Sequence, residues 1–259
     1  MKNYSEDWEA VIGLEIHVQL STKSKLFSGA STNFGALPNT QACNIDLAMP
    51  GVLPVLNEEV LRMAVKLGKA LNAEINSPTS FARKNYFYPD SPKGYQISQM
   101  DKPIIENGYL DIETKNGAKR IGVTRAHLEE DSGKLIHHSD NYSFIDLNRA
   151  GSPLIEIVSE PQIHTSEQAK LYLEKLKQII KYLDISDCDM EKGNLRVDLN
   201  VSVKRKNETN LGTRREVKNL NSFKSVQKAI EYEFKEQIKI IESGNKVEQS
   251  TLTLSLIHI

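Results

Sequence analysis

From Trp8 to Leu20 the chain reads WEAVIGLEIHVQL, with apolar and polar side chains alternating. That period predicts a strand with Leu14, Ile16 and Val18 facing a core and Glu15 and His17 sharing the opposite face. A second alternation, LRVDLNVSV at 195–203, sends Leu195, Val197, Leu199, Val201 and Val203 one way and Arg196, Asp198, Asn200 and Ser202 the other. Three stretches change to a helical period. Asn57 caps a helix over about 58–72, with Glu58 and Glu59 in its first turn and Val60, Leu61, Ala64, Leu67 and Leu71 inward. Thr165 and Gln168 form a capping-box pair opening a helix to about 183, striped by Ala169, Tyr172, Leu173, Leu176, Ile179, Ile180 and Leu183. A last helix runs over about 222–243, with Val226, Ile230, Phe234, Ile238 and Ile241 inward and Gly244 as its stop. Residues 50–56, PGVLPVL, predict an irregular approach to the first helix. Between 79 and 160, short strands are broken by turns at SPKG (91–94), DKP (101–103), ENG (106–108), KNG (115–117) and GSP (151–153). No internal repeat or low-complexity linker interrupts the pattern. The fold class is α+β, largely antiparallel sheet, with the helices grouped late.

Composition narrows the functional classes. Among 259 residues, Lys plus Arg number 33 and Asp plus Glu 34, a net charge of −1. Such a balance argues against a protein held on nucleic acid by bulk charge alone. With 39% hydrophobic and 26% charged residues, the chain is long enough to bury a core without a staple. Two distant cysteines, Cys43 and Cys188, exclude a disulfide framework and a four-cysteine zinc site, and neither sits in an activating context. No apolar run reaches the ~20 residues of a membrane span, and the acidic start MKNYSEDWEA is neither a signal nor a transit peptide. A reducing, cytoplasmic compartment is expected.

The polar strand faces carry candidate chemistry. Glu15 and His17 can grip a metal ion together, or sit on a solvated sheet face. In TRAHLEEDSGK (124–134) Arg125, His127, Glu129 and Asp131 share a face, and Glu129 to Asp131 repel one another unless cations or water relieve them. Arg196, Asp198, Asn200 and Ser202 fit a polar cleft wall or a solvated face. Carboxylates, an imidazole and arginines from separate strands are the equipment for a Mg²⁺–nucleotide site. No P-loop or Rossmann glycine pattern occurs, so such a site would be sheet-based. Five aromatics stand beside Arg83, Lys84 and Lys93 in FARKNYFYPDSPKGYQIS (81–98), fitting either base stacking or a Pro-braced core loop. Residues 204–224 set seven basic side chains against Glu208 and Glu216, which could contact phosphates or form a solvated hairpin.

IGLEIHVQL (12–20), PGVLPVLN (50–57), RKNYFYPDSPKGYQISQ (83–99), HLEEDSGK (127–134), DLNRAGSPLIEIVSEP (146–161), GNLRVDLNVSV (193–203) and EVKNLNSF (216–223) follow one another along the chain. In this order they resemble the B-subunit family of the glutamyl-tRNA(Gln)/aspartyl-tRNA(Asn) amidotransferases, over about residues 8 to 249. The resemblance implies a glutamine-synthetase-like cradle domain, catalytic over 1–249. In that family the domain uses ATP to phosphorylate the carboxylate of a mischarged aminoacyl-tRNA, and ammonia from a glutaminase A subunit displaces the phosphate. A C subunit braces the heterotrimer. Carried over by motif, Glu15, His17, Glu129 and Glu130 match divalent-metal ligands for Mg²⁺ or Mn²⁺, and Asp198 falls in the strand completing that acidic cluster. Lys84 and Lys93 match lysines resembling those along the ammonia route. Arg196 is added as a nucleotide-binding residue from its strand face alone.

After Gln249 the sequence reads STLTLSLIHI, where the family would continue with an acidic-Thr-Arg run. Residues 250–259 are therefore expected to be an atypical, truncated or non-native tail, with the helical and tRNA-gripping domains absent. Two other classes fit the same residues: a non-catalytic interaction fragment of the same complex, and an unrelated Mg²⁺-dependent carboxylate–amine ligase acting on a small substrate.

Overall fold

The computed structural model describes residues 6–138 and 142–253. Its elements are β1 (Trp8–Gln19), α1 (Glu58–Ala70), β2 (Glu74–Ile75), β3 (Ala82–Asn85), β4 (Tyr95–Ser98), β5 (Ile105–Thr114), β6 (Gly117–Glu130) and β7 (Lys134–His137). They continue with β8 (Ser143–Asp146), β9 (Pro153–Ser159), α2 (Ser166–Tyr182), β10 (Leu195–Arg205), β11 (Arg215–Leu220), α3 (Phe223–Glu242) and β12 (Thr251–Thr253). One ten-stranded sheet runs β12-β11-β10-β1-β9-β6-β4-β3, with β5 paired to β6 and β2 paired to β5. Every pair in it is antiparallel except β11 with β12. A separate hairpin joins β7 to β8. The chain is thus mixed α and β, with a large, mostly antiparallel sheet and three helices among the described residues.

The helix starts follow their caps. The Asn57 side chain accepts from the Glu59 N–H at 3.0 Å, Thr165 from Gln168 at 3.1 Å, and Ser222 from Ser225 at 3.0 Å. The capping box is displaced by one residue, since Gln168 Oε1 accepts from the His164 N–H rather than from Thr165. Gly244 adopts φ +83°, ending α3 as expected. One helix, α1, comes early and only two come late, so the late grouping is partial. ENG at 106–108 is not a turn between strands. It lies inside β5, where Asn107 takes φ +53° and the pairing with β6 steps from Glu106–Arg125 to Gly108–Val123. The chain runs on through it with the same register on either side, neither reversing nor gaining a residue. KNG at 115–117 is the hairpin turn, with Gly117 at φ +101°.

Ile12, Leu14, Ile16 and Val18 of β1 and Leu195, Val197, Leu199 and Val201 of β10 are buried in one core with Val60 and Leu67 of α1, Leu173 and Leu176 of α2, and Val226 and Ile230 of α3. The helices therefore cover one face of the sheet, and Glu15 and His17 of β1 look out from the other. Thr251–Thr253 join the sheet edge as β12, so the segment expected as an atypical tail begins as a strand; residues 254–259, like 1–5, lie outside the described residues. No described helix is long and apolar enough to cross a membrane.

One ion pair is fully enclosed. Lys25, 0% exposed, places Nζ 3.2 Å from Asp46 Oδ2, and Asp46 also accepts from Ser28 Oγ at 2.9 Å and from the Cys43 N–H at 2.9 Å. This pins the irregular 28–57 segment beside the sheet. Lys25→Met strands a buried carboxylate and is expected to cost about 3–5 kcal/mol in urea unfolding. The two thiols also differ in burial. Cys188 is buried, and burial pushes its thiol up to about 11, while Cys43 is partly exposed. Ellman's reagent at pH 8 is expected to titrate Cys43 in the native chain and Cys188 only after denaturant is added.

Candidate functional site

Register brings the polar residues together. On β1, His17 stands opposite Glu156 of β9 on one side and Arg196 of β10 on the other. On β6, His127 is also opposite Glu156. His17 Nε2 lies 3.5 Å from Glu129 Oε1 and 3.3 Å from Glu156 Oε2, and His127 Nε2 lies 3.4 Å from Glu156 Oε2. His17, Glu129 and Glu156 each offer a ligand atom within 4.8 Å of the others. Glu129 Oε2 and His127 Nδ1 are buried without a hydrogen-bond partner in the protein. An orphaned carboxylate oxygen beside two further donors fits a divalent cation, which His17, Glu129 and Glu156 would hold.

Beside this triad opens a cavity of about 470 Å³ lined by His17, Glu129, Asp131, Arg196, Asp198, Lys84, Lys218 and Tyr86, among others. Each of the three consecutive acids has its own cation. Glu129 faces the histidines. Glu130, one residue on, turns away: its carboxylate accepts from the Ile97 N–H at 2.9 Å and pairs with Lys93. Asp131 pairs with Arg149 and accepts from Arg196 Nη2 at 3.0 Å, while Arg149 Nη2 donates to Gly193 O at 2.8 Å.

The electrostatics follow burial and partners. At His17 burial works against the charge, but the hydrogen bond to Glu156 and the field of Glu129 outweigh it and hold the imidazolium above its ordinary range. Burial likewise opposes ionisation of Glu156, but hydrogen bonds from His127 and His17 hold its carboxyl well below the usual carboxylate range. Glu129 and Glu130 are raised, burial outweighing His17 and Lys93 respectively. Asp131 stays low: burial opposes it, and Arg196 and Arg149 prevail. Burial raises Asp198 despite His17 and Lys218.

The sequence matches the family described as GatB/GatE catalytic domain over residues 10–256. The chain belongs to that family. It is 60% identical over 247 residues to the aspartyl/glutamyl-tRNA(Asn/Gln) amidotransferase B subunit of Hahella chejuensis, covering 95% of this chain and 52% of that protein. The corresponding B subunits of Caldanaerobacter subterraneus and Bacillus pumilus are each 58% identical, over 94% and 95% of this chain and 51% and 52% of theirs. The chain spans about half the length of the curated relatives it matches.

Within this GatB/GatE-type domain the expected site residues divide. His17, Glu129, Asp198, Arg196 and Lys84 meet at the cavity. Glu15 shares the face but lies one pair further along, where its Oε1 accepts from Asn200 Nδ2 at 2.9 Å. Glu130 and Lys93 pair with each other behind β6, outside the histidine cluster. The aromatic segment also splits: Phe81 packs on Phe27, Arg83 lies over Tyr95, Tyr86 lines the cavity, and Phe87 is exposed. The basic 204–224 stretch forms the β10–β11 hairpin, with Lys218 3.8 Å from Asp198. Sequence reasoning misses Glu156, although a lone carboxylate inside the apolar run PLIEIV marks a buried group in need of a partner.

Because His17 is held protonated to higher pH by Glu156 and Glu129, Mn²⁺ must displace a proton to bind. Mn²⁺ affinity is expected to rise by up to about tenfold per pH unit while His17 titrates and to level off above that range, as read by paramagnetic resonance of free Mn²⁺. Glu156→Gln is expected to weaken Mn²⁺ by about 10–100-fold.

Proposed function

We propose that this chain is the catalytic cradle of an aminoacyl-tRNA amidotransferase B subunit, working in the cytoplasm with a glutaminase A subunit and a C subunit. The observation that carries the reading is the His17–Glu129–Glu156 cluster opening onto one cavity with Arg196, Lys84 and Lys218. Its substrate is the free carboxylate of Glu-tRNA(Gln) or Asp-tRNA(Asn). A carboxylate is a poor electrophile, so one of its oxygens first attacks the γ-phosphorus of ATP and ADP leaves. Ammonia then attacks the carbonyl carbon, gives up a proton, and expels inorganic phosphate to leave the amide.

Mg²⁺ or Mn²⁺ held by His17, Glu129 and Glu156 would neutralise charge on the phosphate oxygens. The other roles fall to the chain's own groups. Arg196, fixed by Asp131, and Lys84 present cations to the transferred phosphoryl group. Asp198 and Glu15 extend the acidic floor from the cluster, and His127 orients Glu156 through its Nε2. Lys93, paired with Glu130 on the rear of β6, belongs in this reading to the route by which ammonia enters.

Mg²⁺-dependent ATP binding, followed by calorimetry, is expected for the unaltered chain and to fall by about 10–100-fold in Glu129→Gln. In the assembled enzyme the same substitution is expected to abolish ATP-dependent amidation. Amidation that survives it would remove phosphoryl transfer from this site.

A further inference from the structure

The basic stretch at 204–224 divides once it is folded. Lys204 sits 3.3 Å from Glu9, the Arg205 guanidinium lies 4.1 Å over the Trp8 ring, and Arg215 reaches Glu233 at 3.7 Å, so these three serve the fold. Among the described residues of the stretch, Lys218 alone of the basic side chains lines the cavity beside His17. An irregularity marks its place in β11. Between the pairs Leu199–Val217 and Val197–Leu220, β10 advances two residues and β11 three, so Lys218 and Asn219 together stand against Asp198. Such a bulge bends its strand, and bulges gather beside sites where a side chain has to be aimed. Here Val217 and Leu220 are both kept in the core while Lys218 stays on the cavity side.

The three cations of the cavity do not stand together. Arg196 is fastened to Asp131, and Lys84 is close enough to Glu129 to favour its ionised form. Lys218 lies on β11, with β10 between it and β1. At about 4.8 Å between neighbouring strands, that is roughly 10 Å from His17. Its ammonium is braced by Glu216 Oε1 at 3.3 Å and Asp198 Oδ2 at 3.8 Å, yet its side chain stays 46% exposed. These contacts do not enclose it, so a further anion can reach it from solvent. The β- and γ-phosphates of a nucleotide gather at the divalent cation, which leaves the distant Lys218 for a different anion. The substrate carries one. Its terminal phosphodiester is joined to the reacting carboxylate through ribose and ester, and it lies at the mouth when that carboxylate is inside. A lysine on a flexible stem suits such a phosphate, as a point charge that positions without reading sequence.

We propose that Lys218 binds the 3′-terminal phosphodiester of the aminoacyl-tRNA and so seats its carboxylate beside His17, Glu129 and Glu156. The assignment rests on the phosphoryl-transfer reading above. The affinity of the assembled enzyme for Glu-tRNA(Gln), without ATP, is measured over a series of NaCl concentrations, and its Mg²⁺-dependent affinity for ATP is measured separately. Lys218→Met is expected to weaken Glu-tRNA(Gln) by about tenfold and to reduce the slope of log affinity against log salt by about 0.7–0.9, with ATP affinity held. The slope counts lost phosphate contacts, and a merely structural defect would not move it. Lys218→Arg is expected to keep both affinity and slope. Lys218→Gln, polar and of similar reach, decides the matter if Lys218→Met does not assemble. A fall in ATP affinity with the salt slope unchanged puts Lys218 on the nucleotide. That result, or an unaltered affinity for Glu-tRNA(Gln), overturns the RNA contact and leaves phosphoryl transfer standing. Amidation that survives Glu129→Gln overturns both.

Discussion

The structure depends on the pairing of β1 along both its edges. Its register with β10 runs unbroken from Trp8–Arg205 to Val18–Leu195, and β9 holds its other side from Glu15 to Gln19. Since side chains alternate with period two, a slip of one residue would drive Glu15 and His17 into the core and set Leu14, Ile16 and Val18 on the polar face. The apolar cost of that exchange locks the register, and the locked register places His17 between Glu156 and Arg196. Core formation and site assembly are two faces of one constraint.

A second constraint is the disposal of charge. Glu129, Glu130 and Asp131 lie in succession at the buried end of β6, each almost inaccessible to water. Three adjacent buried carboxylates persist only if each finds a separate partner. The strand pleat and its end supply the separation: histidines on one face, Lys93 on the other, and a pair of arginines beyond the strand terminus.

Much of this is legible in the sequence, for definite reasons. Alternation in 8–20 and 195–203 and the side-chain caps at Asn57 and Thr165 are local, so those elements and their faces follow directly. ENG misleads because Asn107 takes its left-handed conformation inside a strand that keeps its register with β6, and local chemistry does not distinguish that from a turn. Ser202 stands on the polar face that alternation predicts, yet it is buried. Glu156 escapes a sequence reading because its partners, His17 and His127, come from other strands. The direction of Glu130 likewise depends on β4 supplying the Ile97 N–H, a non-local fact.

Asp131 also says something about time. Its two arginine partners are 18 and 65 residues away in sequence, and the Glu15–Asn200 bond spans 185. Contacts of such separation form only after the intervening chain has paid its loop-closure entropy. The helices, built from contacts three and four residues apart, can form before any of them. The electrostatic order of the cavity therefore arrives only with the closing of the sheet, in the same event that forms the core. An intermediate with native helix content would be blind to the ligands of the native sheet.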